Sequence, residues 1–367
     1  MAGPRLTSLD AFRGLTIAGM ILVNDPGSWD FVYPPLRHAE WHGWTPTDLV
    51  FPFFVFIVGV AISLSLSRLK TEGAGKGGLY LRIFKRSVLI FALGLLLRLI
   101  PHFDFASVRI LGVLQRIALC YLFAALLYLH LGSRGRLGAA VMLLAGYWAA
   151  LKFIPVPGYG AGGLEYSGNL VSYIDLKLLA GHLYEPAFEP EGLLSTFPAI
   201  ATALLGTLAG DWLRSKRGPE SKTIGLLSAG AALTTLGLAL HPYFPINKKL
   251  WTSTFVLFTA GAALLLMALC YFVIDVRGWK KWATPFLVFG TNAIAAYVGS
   301  GLMVKLLALV KVSSGGEQLS LLSWVYKRLF VPWAGNLNGS LAYAVCYVLL
   351  WLALMTPLYR RKIFIKI

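Results

Sequence analysis

The sequence predicts an all-α, polytopic membrane protein with about ten transmembrane helices and both termini in the cytoplasm. Three observations carry that expectation. Of 367 residues, 57% are hydrophobic and only 13% charged, with a mean hydropathy of +0.70, whereas soluble domains are roughly 25% charged. Apolar runs separated by Pro, Gly and charge recur along the whole chain, and a bilayer crossing takes about 20 apolar residues. Lys and Arg are unevenly shared, with 20 on one set of connections against 8 on the other, and the richer set marks the cytoplasm. This length leaves no room for a large extramembrane domain, so residues 1–367 are read as one transmembrane domain.

Taken in order, the first expected helix is 9–24; Asn24-Asp25-Pro26 follows it instead of a small-residue cleavage site, so it is read as uncleaved. The second, 46–67, opens on Thr45-Pro46 with Asp48 in its first turn, a favoured start for a helix. Helices 83–101, 110–130 and 137–154 are delimited by Arg82, Pro101, Gly132, Arg136 and Pro155. Helices 192–213, 223–240 and 251–274 end at Arg214, His241-Pro242 and Asp275, and 285–308 and 339–358 complete the set. The inner connections carry basic residues from Arg5 to Lys366 and few acids, Glu72 among them, while eleven acids lie toward the outer side. The high pI therefore describes the cytoplasmic rim, and no nucleic-acid partner is expected. Cys120, Cys270 and Cys346 all fall in apolar runs, which argues against a disulfide framework and a Cys/His zinc site. Two outer segments exceed simple turns, Asp25–Thr45 and Pro155–Glu191, and a short amphipathic outer piece is read around Leu319–Phe330.

Five of the six histidines, His38, His42, His102, His182 and His241, map to the outer face. A base near neutral pH is best supplied by His. A loop histidine is more often a solvated side chain, but His38 precedes a helix whose first turn carries Asp48, a carboxylate able to orient an imidazole. The plain reading of Asp48 is a helix-dipole contact. His38 and His42 with Glu40 have the spacing of metal ligands, yet Gly43 and Pro46 oppose a regular helix there, and no metal is expected. Arg116, beside Gln115, lies about two turns into its helix and on nearly the face of Arg109; it needs an anion, either Asp48 or a ligand phosphate. Arg98 and Lys305 read as snorkelling side chains, and Asp10 with Arg13 as an i,i+3 pair. Arg82, Lys85 and Arg86 suit anionic membrane lipid as well as the phosphates of a nucleotide-like donor.

Several motifs, in order, resemble those of the heparan-α-glucosaminide N-acetyltransferase family. They are Ser8-Leu-Asp-Ala-Phe-Arg-Gly14, Val23-Asn24, His38-Ala-x-Trp41, Thr47-Asp-Leu-Val-Phe-Pro-Phe-Phe-Val-Phe56 and Val108-Arg-Ile-x-Gly-Val-Leu-Gln-Arg116. Glu189-Pro-Glu-Gly192, Ile246-Asn-Lys248 with Leu250-Trp251, Val276-Arg-Gly278 and the closing Tyr359–Ile367 run continue the likeness. The resemblance implies an integral membrane acyltransferase that takes acetyl-CoA from the cytoplasm and acetylates the amine of a glucosamine-type sugar across the membrane. It implies catalytic roles for His38 as general base, Asn24 as oxyanion donor and Asp48 as holder of the His38 tautomer. Arg13, Arg86, Arg109, Gln115 and Arg116 are the candidates for holding acetyl-CoA. A route through acetyl-histidine stays open, as does a homodimer. Departures exist too: the lysosomal enzyme's lumenal N-terminal domain has no counterpart, the Asn24–His38 connection is longer, and Ser300 stands where a histidine is expected. The first points to a bacterial inner-membrane homologue. Two other readings stand beside this one, a sugar transporter or flippase and an O-acetyltransferase of a cell-surface glycan.

Overall fold

The computed structural model describes residues 6–71, 73, 75–314 and 316–365; Arg5, Glu72 and Lys366, counted above among the inner charges, lie outside them. The chain is a helical bundle. It runs through α1 (Thr7–Asn24), α2 (Val50–Thr71), α3 (Lys76–Leu99), α4 (Val113–His130), α5 (Ser133–Phe153), α6 (Leu170–Leu179), α7 (Thr196–Arg214), α8 (Pro219–Leu240) and α9 (Ser253–Cys270). Then come α10 (Thr284–Thr291), α11 (Ala293–Leu309), the antiparallel hairpin β1 (Lys311–Ser314) and β2 (Glu317–Ser320), α12 (Leu321–Val325) and α13 (Val331–Arg360).

Among the described residues, six helices are long and apolar enough to cross a membrane, or seven if the bent α10–α11 pair is one span. The other expected crossings are α1, α3 and α7, which hold Arg13, Arg86 and Asp211 within the helix. Of its most apolar stretch, α2 buries 67% inside the bundle, against 22% for α8 and for α13. So α2 is central, and the outer helices turn residues such as Phe84, Leu89, Met142 and Leu349 to the surroundings. Small residues let the central helices touch: a Cβ on Gly59 would lie 1.9 Å from the Ala203 carbonyl oxygen, and one on Gly206 would lie 2.1 Å from that of Phe56. Gly14 and Gly290 bring α1 and α10 together in the same way.

One end of the bundle joins the start of α1 to the π-helical turn Tyr271–Val276 that follows α9, where the Ser8 amide donates to Asp275 at 3.1 Å, and gathers the α2–α3, α4–α5 and α7–α8 connections. The opposite end carries the longer segments, tied to one another by Trp41 Nε1–H donating to the Leu164 carbonyl at 2.8 Å and by the Gly43 amide donating to that of Ile246.

The structure corrects several expectations. The helix expected at 285–308 is broken at Asn292, where α10 and α11 bend by 71°. Asn292 leaves helical geometry because its side chain binds the C-terminal segment, donating to the Ile363 carbonyl at 3.0 Å and accepting from the Ile365 amide at 2.8 Å. The Pro155–Glu191 segment contains α6, opened by Asn169, whose side chain accepts from the Ser172 amide. The helix expected from 110 starts at Val113, behind an extended Gly112, so the helical-face argument joining Arg109 to Arg116 does not hold. The Lys305 ammonium donates to the carbonyls of Leu97 and Ile100, the open C-terminus of α3.

Candidate active site

The site is built around the turn that opens α2. Pro46–Leu49 forms a short 3-10 helix, and Thr45 with Asp48 makes a capping box across it. The Asp48 carboxylate is fully buried, and its Oδ2 accepts from the amides of Ala39 at 3.1 Å and Thr45 at 3.0 Å. Its Oδ1 stands 2.7 Å from His38 Nδ1. A carboxylate cannot donate, so Nδ1 carries the proton and Nε2 keeps its lone pair. The imidazole is 41% exposed while its partner is 1% exposed, so the basic nitrogen can meet a substrate. Thr45 Oγ1 donates to the Arg37 carbonyl at 2.6 Å and fixes the backbone just before His38. Asp48 thus fills both roles considered for it, helix cap and imidazole partner.

Lys248 closes the group, with Nζ 3.3 Å from Asp48 Oδ1 and 2.9 Å from His38 Nδ1. It sits in a stiff turn. The Asn247 side chain accepts from the Leu250 amide at 2.8 Å, and the Asn247 amide donates to Thr252 Oγ1 at 3.0 Å. Burial pushes the Lys248 ammonium down, and Asp48 and Glu191 oppose that. His42 takes different partners, Asn247 at 3.3 Å and Glu165 at 3.7 Å.

Below these loops lies a second charged cluster. Arg109 Nε donates to Glu189 Oε2 at 2.8 Å, and its Nη2 reaches both Glu189 and Glu191. Arg116 donates to the Gly192 carbonyl at 3.1 Å and to Ser195, with its guanidinium 5.0 Å from the Trp251 ring centre. Arg116 does not meet Asp48: its Nη2 takes these contacts and Glu191 acts on it as a nearby charge, while its Nε and Nη1 are buried with no hydrogen-bond partner among the described residues. Burial raises Glu189; for Glu191 burial is outweighed by Arg109, Arg116 and Lys248, which hold it below the usual carboxylate range. Asp175 of α6 packs on Gly192 and is pushed up to about 6 by burial.

A cavity of about 570 Å³ opens between α1, α2, α3, α4 and the α10–α11 break. Its walls are apolar, with Phe54, Ile57, Ile62, Ile90 and Ile117 among them, and its charges are Arg13, Arg68 and Arg86. Arg86 lies 4.8 Å from the Tyr121 ring centre, and its Nε is buried with no hydrogen-bond partner among the described residues. Arg13 pairs with Asp10 at 3.1 Å.

The structure brings His38 and Asp48 together. Asn24, the last residue of α1, is exposed and makes no hydrogen bond to either among the described residues. Of the five proposed donor-binding residues, Arg13 and Arg86 line the cavity, whereas Arg109 and Arg116 belong to the Glu189–Gly192 cluster. Gln115 turns toward Gly94 of α3, and its buried Nε2 has no partner among the described residues. Arg68 and Lys248 were not singled out from sequence. Arg68 was visible only as one of many inner positive charges, and Lys248 only as part of Ile246-Asn-Lys248.

An oriented imidazole at one end of an apolar helical bundle, and an arginine-bearing apolar cavity reaching toward the other, define an integral membrane protein with a candidate site at each. The model of a family described as "Heparan-alpha-glucosaminide N-acetyltransferase, catalytic" matches residues 5–244, and the chain belongs to that family. The human heparan-alpha-glucosaminide N-acetyltransferase is 33% identical over 69% of this chain and 46% of its own length. The mouse protein of the same name is 32% identical over the same shares. The chain thus spans about half the length of the curated relatives it matches.

Proposed function

We propose that the protein is a transmembrane N-acetyltransferase that moves the acetyl group of cytoplasmic acetyl-CoA to the amine of a glucosamine-type sugar on the opposite side. The observation that carries this reading is the 2.7 Å His38–Asp48 pair at the head of the helix whose further turns line the arginine-bearing cavity. From Asp48 in the opening turn to Phe54 of α2 is about 9 Å, and from Phe54 to Arg68 along α2 about 21 Å. Arg13, Arg68 and Arg86 would hold the donor's phosphates, and the apolar walls its slender acyl arm; the unpartnered Nε of Arg86 fits an incoming anion.

The acceptor amine attacks the thioester carbonyl while Nε2 of His38 takes its proton, and collapse of the tetrahedral adduct breaks the C–S bond. The proton then passes from the imidazolium to the leaving thiolate. General-base assistance of this kind contributes about 10²–10⁴-fold. In this reading Asn24 supplies a donor to the developing oxyanion. The 20-to-8 division of Lys and Arg supports ten crossings with both termini cytoplasmic and one transferase domain over 1–367.

The α10–α11 break, which lines the cavity, is the feature that favours a transporter. One assay separates the two. Labelled acetyl-CoA with glucosamine should give labelled N-acetylglucosamine, and His38→Ala should abolish transfer while leaving thermal stabilisation by CoA intact. Unchanged transfer in His38→Ala, or acetylation of hydroxyl acceptors alone, would sink the proposal.

A further inference from the structure

We infer that Lys248 is a positioning residue for His38: its ammonium, set against the imidazole and Asp48 together, holds His38 as the neutral base. This rests on the transferase reading above and adds a residue outside the stretch matched by the family model.

The argument is one of close charges. Lys248 Nζ is 2.9 Å from Nδ1 and 3.4 Å from Nε2 of His38, and 3.3 Å from Asp48 Oδ1. Nδ1 cannot accept from Lys248 while it donates to Asp48 at 2.7 Å. The ammonium therefore meets the ring as a charge and not as a hydrogen-bond donor. Were His38 to become an imidazolium, two cations would stand within hydrogen-bond distance of each other. Asp48 alone would favour that imidazolium, as an adjacent carboxylate does. With Lys248 on the same carboxylate oxygen, the aspartate orients the ring without drawing a second proton onto it.

The charged and titratable groups bearing on the pair come from three segments. Asp48 belongs to the turn opening α2; Lys248 and its neighbour Lys249 belong to the turn before α9; Glu191 acts on Lys248 from the outer loop. His42 pairs with Glu165 and with Asn247. Glu191 is itself held by Arg109, so the turn carrying Lys248 is electrostatically tied to the outer loop.

The test is a set of kcat/KM–pH profiles with acetyl-CoA and glucosamine for the unaltered protein, Lys248→Met, Lys248→Gln and Lys248→Arg. The acceptor's own titration is common to all four. Removing the ammonium should move the acidic limb to higher pH by about one unit or more, at an unchanged KM for acetyl-CoA, and Lys248→Arg should bring the limb back. Thermal stabilisation by CoA reports that each variant is folded. If folded Lys248→Met and Lys248→Gln keep the limb where it was and merely lose rate at every pH, Lys248 is only structural and the inference is overturned. Full activity of His38→Ala would instead remove the transferase reading itself.

Discussion

At the scale of single residues, the site depends on a carboxylate with two jobs. Asp48 closes the turn that opens α2 through the Thr45 and Ala39 amides, and with its other oxygen it fixes the His38 tautomer. Asp48→Asn keeps the shape but can offer an amide where the imidazole N–H needs an acceptor. Turnover should fall by about 10²–10⁴-fold, within the range of general-base assistance, while CoA still stabilises the variant; a steady-state assay beside a melting curve checks both halves. At the cavity, Arg86→Gln removes a half-buried guanidinium whose buried Nε lacks a partner among the described residues. Because a hydrogen bond to a charged group contributes about 1.5–3 kcal/mol, CoA affinity should fall roughly ten- to hundredfold. Stabilisation measured against CoA concentration reads this directly, and an unaltered affinity would move the donor elsewhere. His38 and Asp48 were legible because they lie ten positions apart across a recognisable helix start. Lys248 was not, because its nearness to them is made by two loops joined through Gly43 and Ile246.

At the scale of elements, α6 is the piece that pattern reading missed. Ten residues opened by an asparagine cap are too few for a crossing, and they lie in a segment otherwise rich in Gly, Tyr and Pro. The helix presses Asp175 against Gly192, beneath the Arg109–Glu189 cluster. Burial raises the Asp175 carboxyl to about 6 from an unfolded value near 3.8, so the folded chain favours its neutral form. The stability this gives is complete below pH 4 and is lost as pH rises through about 6. Asp175→Asn should therefore melt like the unaltered protein at pH 4 and at a higher temperature at pH 8. Melting curves in detergent at the two values test this, and a lower melting temperature for the variant at pH 8 would contradict it. The break between α10 and α11 was equally hidden. Thr291-Asn292-Ala293 sits inside an apolar run whose one proline, Pro285, is at its start, and the cause of the break, residues Ile363–Ile365, is about seventy positions away.

At the scale of the whole molecule, the charge asymmetry gives the orientation its test. Single cysteines at positions 38, 73 and 219, in a background where the exposed Cys346 is replaced, should be labelled from outside the cell only at 38. Outside labelling at 73 would reverse the assignment and take the proposed base away from the far side. The sequence by itself determined the membrane class, most of the long helices and the His38–Asp48 pair. These follow from apolar run length and from a helix start written in adjacent residues, all of them local in the chain. Tertiary structure alone decided that Arg109 and Arg116 converge on the Glu189–Gly192 turn while Arg13, Arg68 and Arg86 line the cavity, and that Lys248 meets His38. A buried charge settles on whichever counter-charge or carbonyl the packing brings within reach, and in a bundle that partner comes from another helix or loop.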